Sequence, residues 1–227
     1  MIQENLSKVK ERIKEACIRA GRKPEEVTLI AVSKTKPIEM IEEALACGKK
    51  EFGENKAQEM KQKQEILPKD INWHFIGHLQ TNKVKYVVGR ACLIHSVDSY
   101  HLAEAIEAES VKKNVISHIL IEVNVAQEES KYGIRMEEAM DLVCMAAKLP
   151  HIKIEGLMTI APFVENPEQN RRIFRKLHKL SVDIAAKNID NVSMSALSMG
   201  MTNDYEVAVE EGATYVRVGT AIFGSRV

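Results

Sequence analysis

Eight short runs of strand-forming residues recur along this 227-residue chain, and a helical pattern separates each from the next. The first, VTLIAVS at 27–33, is continuously apolar, as a strand covered on both faces must be. The others lie near 50–53, 73–76, 92–96, 117–125, 152–158, 192–196 and 214–218. Helical periodicity fills 37–46, 55–66, 81–88, 100–113, 136–148, 168–188 and 202–211. Parallel neighbours need a long crossover between them, so this alternation dictates a parallel sheet. Eight units predict a closed α/β fold, a single (β/α)8 TIM-type barrel domain over 1–227, with an open doubly wound sheet as the alternative. An extra amphipathic helix over 3–20, with Leu6, Val9, Ile13 and Ala16 or Cys17 on one face, precedes the first strand. About nine residues follow the last strand, too few for an ordinary outer helix. The N-terminal helix is therefore predicted to pack at the seam and partly replace it.

Charge excludes several functions. Lys plus Arg equals Asp plus Glu at 32 each, so no net field draws in nucleic acid or an anionic membrane. No apolar stretch approaches the ~20 residues of a membrane span. The opening MIQENLSKVKERIKEAC has no apolar segment of the secretory kind. Cys17, Cys47, Cys92 and Cys144 are scattered, with no CxxC pair, and read as buried or half-buried thiols of a cytoplasmic protein.

Polar residues at strand ends mark the expected functional face, the carboxyl end of the barrel. Lys34 leaves the run Leu29–Ile30–Ala31–Val32–Ser33 on the same face as Ile30 and Val32, the predicted barrel interior. Burial there favours a neutral amine, which attacks aldehydes to form imines; the bland alternative is a lysine that reaches solvent. Arg217 sits mid-strand in TYVRVGTAIFG, where a guanidinium must find acceptors. Tyr215, Arg217 and Gly219 share one face, and the acceptor is either Glu122 or a ligand atom. Gly219–Thr220–Ala221–Ile222–Phe223–Gly224 offers open amides, a hydroxyl and a helical turn, a phosphate-type cradle where such barrels commonly hold one. Strand seven adds Ser195 and Ser198. His74 and His78 share a strand face, but ~13 Å separates them, too far for one ion, so no metal is assigned. His78 is expected at the mouth, together with Asn55 and Met158.

The strings AVSKTKP (31–37), FGEN (52–55), HFIGHLQTNK (74–83), HSVDS (95–99), GLMTIAP (156–162), LSMGMTND (197–204) and VRVGTAIFG (216–224) resemble those of the pyridoxal phosphate homeostasis proteins, whose barrel is shared with the N-terminal domain of alanine racemase. The resemblance covers nearly the whole chain, with Thr202 and Val218 as conservative departures. It implies that Lys34 holds pyridoxal 5'-phosphate as a Schiff base. It also implies that Arg217 faces the pyridine nitrogen, that Ser198, Gly219 and Thr220 lie in phosphate-binding segments, and that Asn55, His78 and Met158 line the pocket. An arginine there leaves the ring nitrogen unprotonated, a weaker electron sink than a pyridinium. Alanine racemase adds a tyrosine from a second domain, which these 227 residues leave no room for. The resemblance thus implies a cytoplasmic cofactor-binding protein of vitamin B6 and amino-acid homeostasis, without catalytic residues or robust turnover. It is expected to be a monomer in transient contact with pyridoxal phosphate-dependent apo-enzymes; the alternative is a racemase-type enzyme.

Overall fold

The computed structural model describes residues 1–128 and 131–224. Eight parallel strands close into a barrel in sequence order: β1 (Thr28–Val32), β2 (Glu51–Glu54), β3 (Asn72–Phe75), β4 (Leu93–Val97), β5 (Ser117–Glu122), β6 (Ile152–Met158), β7 (Val192–Met201) and β8 (Tyr215–Val218). Closure is made by β1 against β8, with Ile30 opposite Arg217 and Ala31 opposite Val218. That pairing excludes the open sheet.

Helices α1 (Ile2–Arg19), α2 (Ile38–Ala46), α3 (Ala57–Ile66), α4 (Tyr100–Lys113), α5 (Ala139–Ala146), α6 (Arg171–Ala185), α7 (Tyr205–Glu210) and α8 (Thr220–Phe223) surround it. The expected helix over 81–88 is instead a 3-10 helix, Thr81–Tyr86. The last described helix is a single turn, and α1 packs against α2, α7 and α8 at the seam. Its buried face is Ile2, Leu6, Val9, Ile13, Ala16 and Cys17, and Asn5 Nδ2 donates to the Ile222 carbonyl at 2.9 Å.

Side-chain alternation divides the strands cleanly. Leu29, Ala31, Val216 and Val218 join the main core between sheet and helices, whereas Ile30 and Val32 face inward. Inside the barrel, Leu93, Leu120, Met158 and Ala196 form one apolar layer, with Ile160 and Tyr215 against it. This is the filled interior expected of an eight-stranded barrel. Polar groups, among them His74, His95, Ser198 and Arg217, share the rest of the interior with Ile30 and Val32, and a cavity opens at each end.

The longest strand, β7, was expected to stop near 196 but continues to Met201. Its register shifts against both neighbours, and Met194 takes φ 51°, so the pairing pattern there is irregular. Ser195 consequently lies away from the carboxyl end and lines the opposite cavity. At Gly200 (φ +89°) a Cβ would stand 2.5 Å from the Ala208 Cβ, so only glycine lets α7 close over the end of β7.

Candidate functional site

A cavity of about 630 Å³ opens at the carboxyl ends of the strands. Lys34 and Asn55 line one side; Thr202, Asn203, Gly219 and Thr220 line the other, and Arg217 is part of the wall. Lys34 is half-buried, one turn of loop beyond β1. Thr220 begins α8, a single turn whose bonds start with the Ile222 and Phe223 amides on the Gly219 carbonyl, so the Thr220 and Ala221 amides lie outside that ladder. The Gly219 amide donates to the Thr202 hydroxyl at 3.3 Å and joins the two phosphate-type segments. The Asn55 Oδ1 is buried with no partner among the described residues, an acceptor suited to a bound donor. Gly77 permits this: a Cβ there would lie 2.3 Å from the Asn55 carbonyl oxygen.

Lys34 is held between two anchored neighbours. Ser33 Oγ donates to Glu54 Oε1 at 2.5 Å, and the Ser33 carbonyl accepts from Lys63 Nζ at 2.7 Å. On the other side, the Thr35 amide donates to Glu59 Oε1 at 2.6 Å, which fixes Thr35 at φ 61°. A β-branched residue in that region is strained, and the surrounding contacts must hold it there. Lys63 joins both anchors, donating to Glu54 at 2.7 Å and Glu59 at 2.8 Å. Lys36, the next lysine, reaches away from the strand and donates to the carbonyls of Phe223 (3.4 Å) and Gly224 (3.0 Å).

Arg217 is 3 % exposed. The protein acceptors are not Glu122, the carboxylate anticipated for it. Nη1 donates to Ser198 Oγ at 2.6 Å and Nη2 to the Thr159 carbonyl at 2.9 Å. Burial lowers its pKa to about 10, with Glu122 and Asp204 opposing, so the guanidinium keeps its charge near neutral pH.

Beneath Arg217 a hydrogen-bonded chain crosses the barrel. Ser198 Oγ lies 2.8 Å from His95 Nδ1, His95 Nε2 lies 3.0 Å from His74 Nδ1, and His74 Nε2 lies 2.8 Å from Glu51 Oε2. One set of proton positions satisfies every link. Ser198 accepts from Arg217 and donates to His95. Burial, reinforced by the nearby His74 ring and the Arg217 guanidinium, holds His95 well below the usual imidazole range. Neutral His95 therefore donates from Nε2 to His74, which donates to the Glu51 carboxylate.

Glu122 stands inside the barrel near the mouth, and burial pushes its pKa up to about 7, aided by Asp98 and opposed by Arg217. A carboxyl that binds its proton more tightly when folded loses stability as pH rises from its ordinary value, 4.5, through 7. Between these limits the native state holds a proton that the unfolded chain has lost. Glu122→Gln is expected to remove this slope and to gain about 3 kcal/mol on the wild type between about pH 5 and about pH 8. Urea unfolding at those two pH values checks it; parallel slopes would rule out the shift.

The structure brings Lys34, Asn55, Arg217, Gly219 and Thr220 to one cavity. Three other expected site residues lie elsewhere. Ser198 is fully buried below Arg217, and Met201, Thr202 and Asn203 of the same segment line the cavity in its place. Met158 belongs to the apolar layer inside the barrel. His78 stands at the rim, its ring stacked on Tyr132 at 3.8 Å and its Nδ1 3.8 Å from Asp98. Leu197–Thr202 reads from the sequence as a companion to the phosphate-type loop, with Thr202 or Asn203 capping the next helix; both residues line the cavity, and the cap is Asp204, because β7 runs on to Met201.

The match to known proteins spans almost every residue. The family described as "Alanine racemase, N-terminal domain" matches residues 3–227. A pyridoxal phosphate homeostasis protein of Aquifex aeolicus is 50 % identical over 224 residues, covering 98 % of this chain and 97 % of the relative. The Escherichia coli protein of the same description is 39 % identical over 230 residues, covering 99 % and 97 %. The structure of PipY of Synechococcus elongatus with PLP bound superposes with a TM-score of 0.84 at 32 % identity, covering 99 % of this chain and 100 % of that one. Full-length identity at this level, on a barrel closed in the same order, leaves one conclusion: the chain belongs to the family of pyridoxal phosphate homeostasis proteins, built on the barrel of the alanine racemase N-terminal domain.

Proposed function

We propose that the mouth cavity binds pyridoxal 5'-phosphate and that Lys34 holds it as a Schiff base. The observation that carries this reading is a shared cavity: the Lys34 amine, the Arg217 guanidinium and the Gly219–Thr220 turn all border one space of about 630 Å³. That set matches an aldehyde, a ring nitrogen and a phosphate. The orphaned Asn55 Oδ1 supplies one further polar contact.

The chain's residues divide the work. Gly219, Thr220 and Thr202 take the anionic group. Lys34 supplies the nucleophilic amine, positioned by the Ser33 and Thr35 anchors on either side. Arg217 keeps a positive donor toward the ring, because its own acceptors, Ser198 and Thr159, fix the guanidinium from below. When bound, the cofactor supplies an electrophilic carbonyl and an electron-accepting ring; a guanidinium beside the ring nitrogen leaves it a poor acceptor. The reading is accordingly of a carrier in vitamin B6 and amino-acid homeostasis. It acts as a cytoplasmic monomer that passes its cofactor to apo-enzymes, without robust catalysis.

Borohydride reduction of the cofactor-loaded protein, followed by peptide mass mapping, tests the attachment. The phosphopyridoxyl group is expected on the peptide containing Lys34. Label on Lys36 would move the assignment, and an unlabelled protein would end the covalent reading.

A further inference from the structure

A second cavity, about 710 Å³, opens at the opposite end of the barrel, where the strands begin. Its wall holds Glu51 on β2, His74 on β3 and Cys92 immediately before β4. One ligand atom from each of these lies within 4.8 Å of the other two. Three adjacent parallel strands bring them together, so no spacing in the sequence announces the group. The distance that separates His74 from His78 has no bearing on it.

We propose that Glu51, His74 and Cys92 form a binding site for a thiophilic divalent cation of the zinc class. The ligand set is mixed carboxylate, imidazole and thiol, which suits zinc better than the hard cations that prefer oxygen alone. Three protein ligands with the fourth position open to a cavity is the arrangement of a zinc site that exchanges water or a small ligand. Zinc–ligand bonds of ~2.0–2.3 Å place tetrahedral neighbours about 3.5 Å apart, so the Cys92 thiol must draw in while the His74 Nε2–Glu51 Oε2 pair, 2.8 Å apart, opens to admit the ion. Cys92 is exposed and stands at a strand start, where such a movement is cheap. His74 is already oriented as metal-bound histidines are: Nε2 faces the cavity and Nδ1 is held by His95 at 3.0 Å.

Proton accounting follows from the tautomers. The ion takes the sulfur and Nε2 lone pairs, so the Cys92 thiol proton leaves to solvent at the foot. His74 then carries its one proton on Nδ1 and His95 its own on Nδ1, facing Ser198 Oγ, which keeps its hydroxyl proton. Ion binding thereby exchanges the tautomers of both rings. Glu51, His74 and Cys92 line the foot cavity and not the mouth cavity.

Cobalt(II) titration of the full chain, purified without added metal, is the test. One equivalent is expected to give a near-ultraviolet thiolate-to-cobalt band with visible bands of tetrahedral cobalt. Zinc should displace it. Cys92→Ser should remove the thiolate band and weaken cobalt binding at least ~10-fold, and Glu51→Gln should weaken it similarly. Both substitutions lie at the cavity edge, and circular dichroism confirms that the variants are folded. Histidine nitrogen shifts should show the His95 tautomer inverting on zinc addition. Wild-type protein without a stoichiometric thiolate band, or a band that survives in Cys92→Ser through Cys17, Cys47 or Cys144, overturns the site. An unchanged His95 tautomer on zinc addition overturns the His74 ligation.

Discussion

Lys34→Ala is expected to abolish the visible absorbance that pyridoxal phosphate acquires when joined to a lysine, while leaving the barrel folded. Lys34 is half-buried beyond the end of β1, outside the hydrophobic core, so truncating it removes little packing. The phosphate-type segments remain, and the variant keeps weak, non-covalent affinity. Loss of covalent capture should nevertheless dominate the measurement, because Lys34 alone of the cavity lysines directly follows the inward run of β1. Lys36 is turned to the carbonyls of Phe223 and Gly224, where it ties the first loop to α8. An absorption spectrum of the reconstituted variant, with a thermal melt beside it, decides the matter. A retained band with an intact fold would refute the role of Lys34.

Lys63→Met should carry the largest stability cost of the substitutions considered, about 3–5 kcal/mol near neutral pH. Lys63 is 5 % exposed and donates to Glu54, Glu59 and the Ser33 carbonyl. Glu54 is fully buried, with Oε2 already lacking a partner. Removing the ammonium leaves that carboxylate in an apolar setting, and the methionine fills the volume without answering the charge. Burial already pushes Glu54 above the ordinary carboxyl range, with Lys63 opposing. The variant should therefore recover part of its loss as pH falls, when Glu54 takes up a proton. Urea unfolding of both proteins across the acidic range reads this directly. A cost below ~1 kcal/mol, or one independent of pH, would show that the buried pair is not holding the loop.

The barrel is legible in the sequence because each strand must be apolar on at least the outward face, and each crossover must be helical and amphipathic. The parity of Lys34 with Ile30 and Val32, and of Arg217 with Tyr215, follows from alternation alone and matches the inward faces found. Contacts between distant strands do not follow. The partners of Arg217 lie 19 and 58 residues away, on β7 and just after β6, and a barrel's register decides which of many polar groups meet it. The same reason hides the joining of Glu51, His74 and Cys92. Cys92, read from sequence as a buried or half-buried thiol, proves to be exposed, because it precedes the strand rather than beginning it. Thr81–Tyr86 carries helical periodicity yet winds as a 3-10 helix, and six residues are too few for periodicity to separate the two windings.

Joining β1 to β8 has a cost during synthesis on the ribosome. Residues 28–32 emerge early, but the edge they present stays unpaired until residues 215–218 have cleared the exit tunnel. Until then the nascent chain is an open sheet with two raw edges and an uncovered seam, the state in which parallel sheets are most exposed to aggregation. Assembly of this protein is thus timed by translation of its last strand.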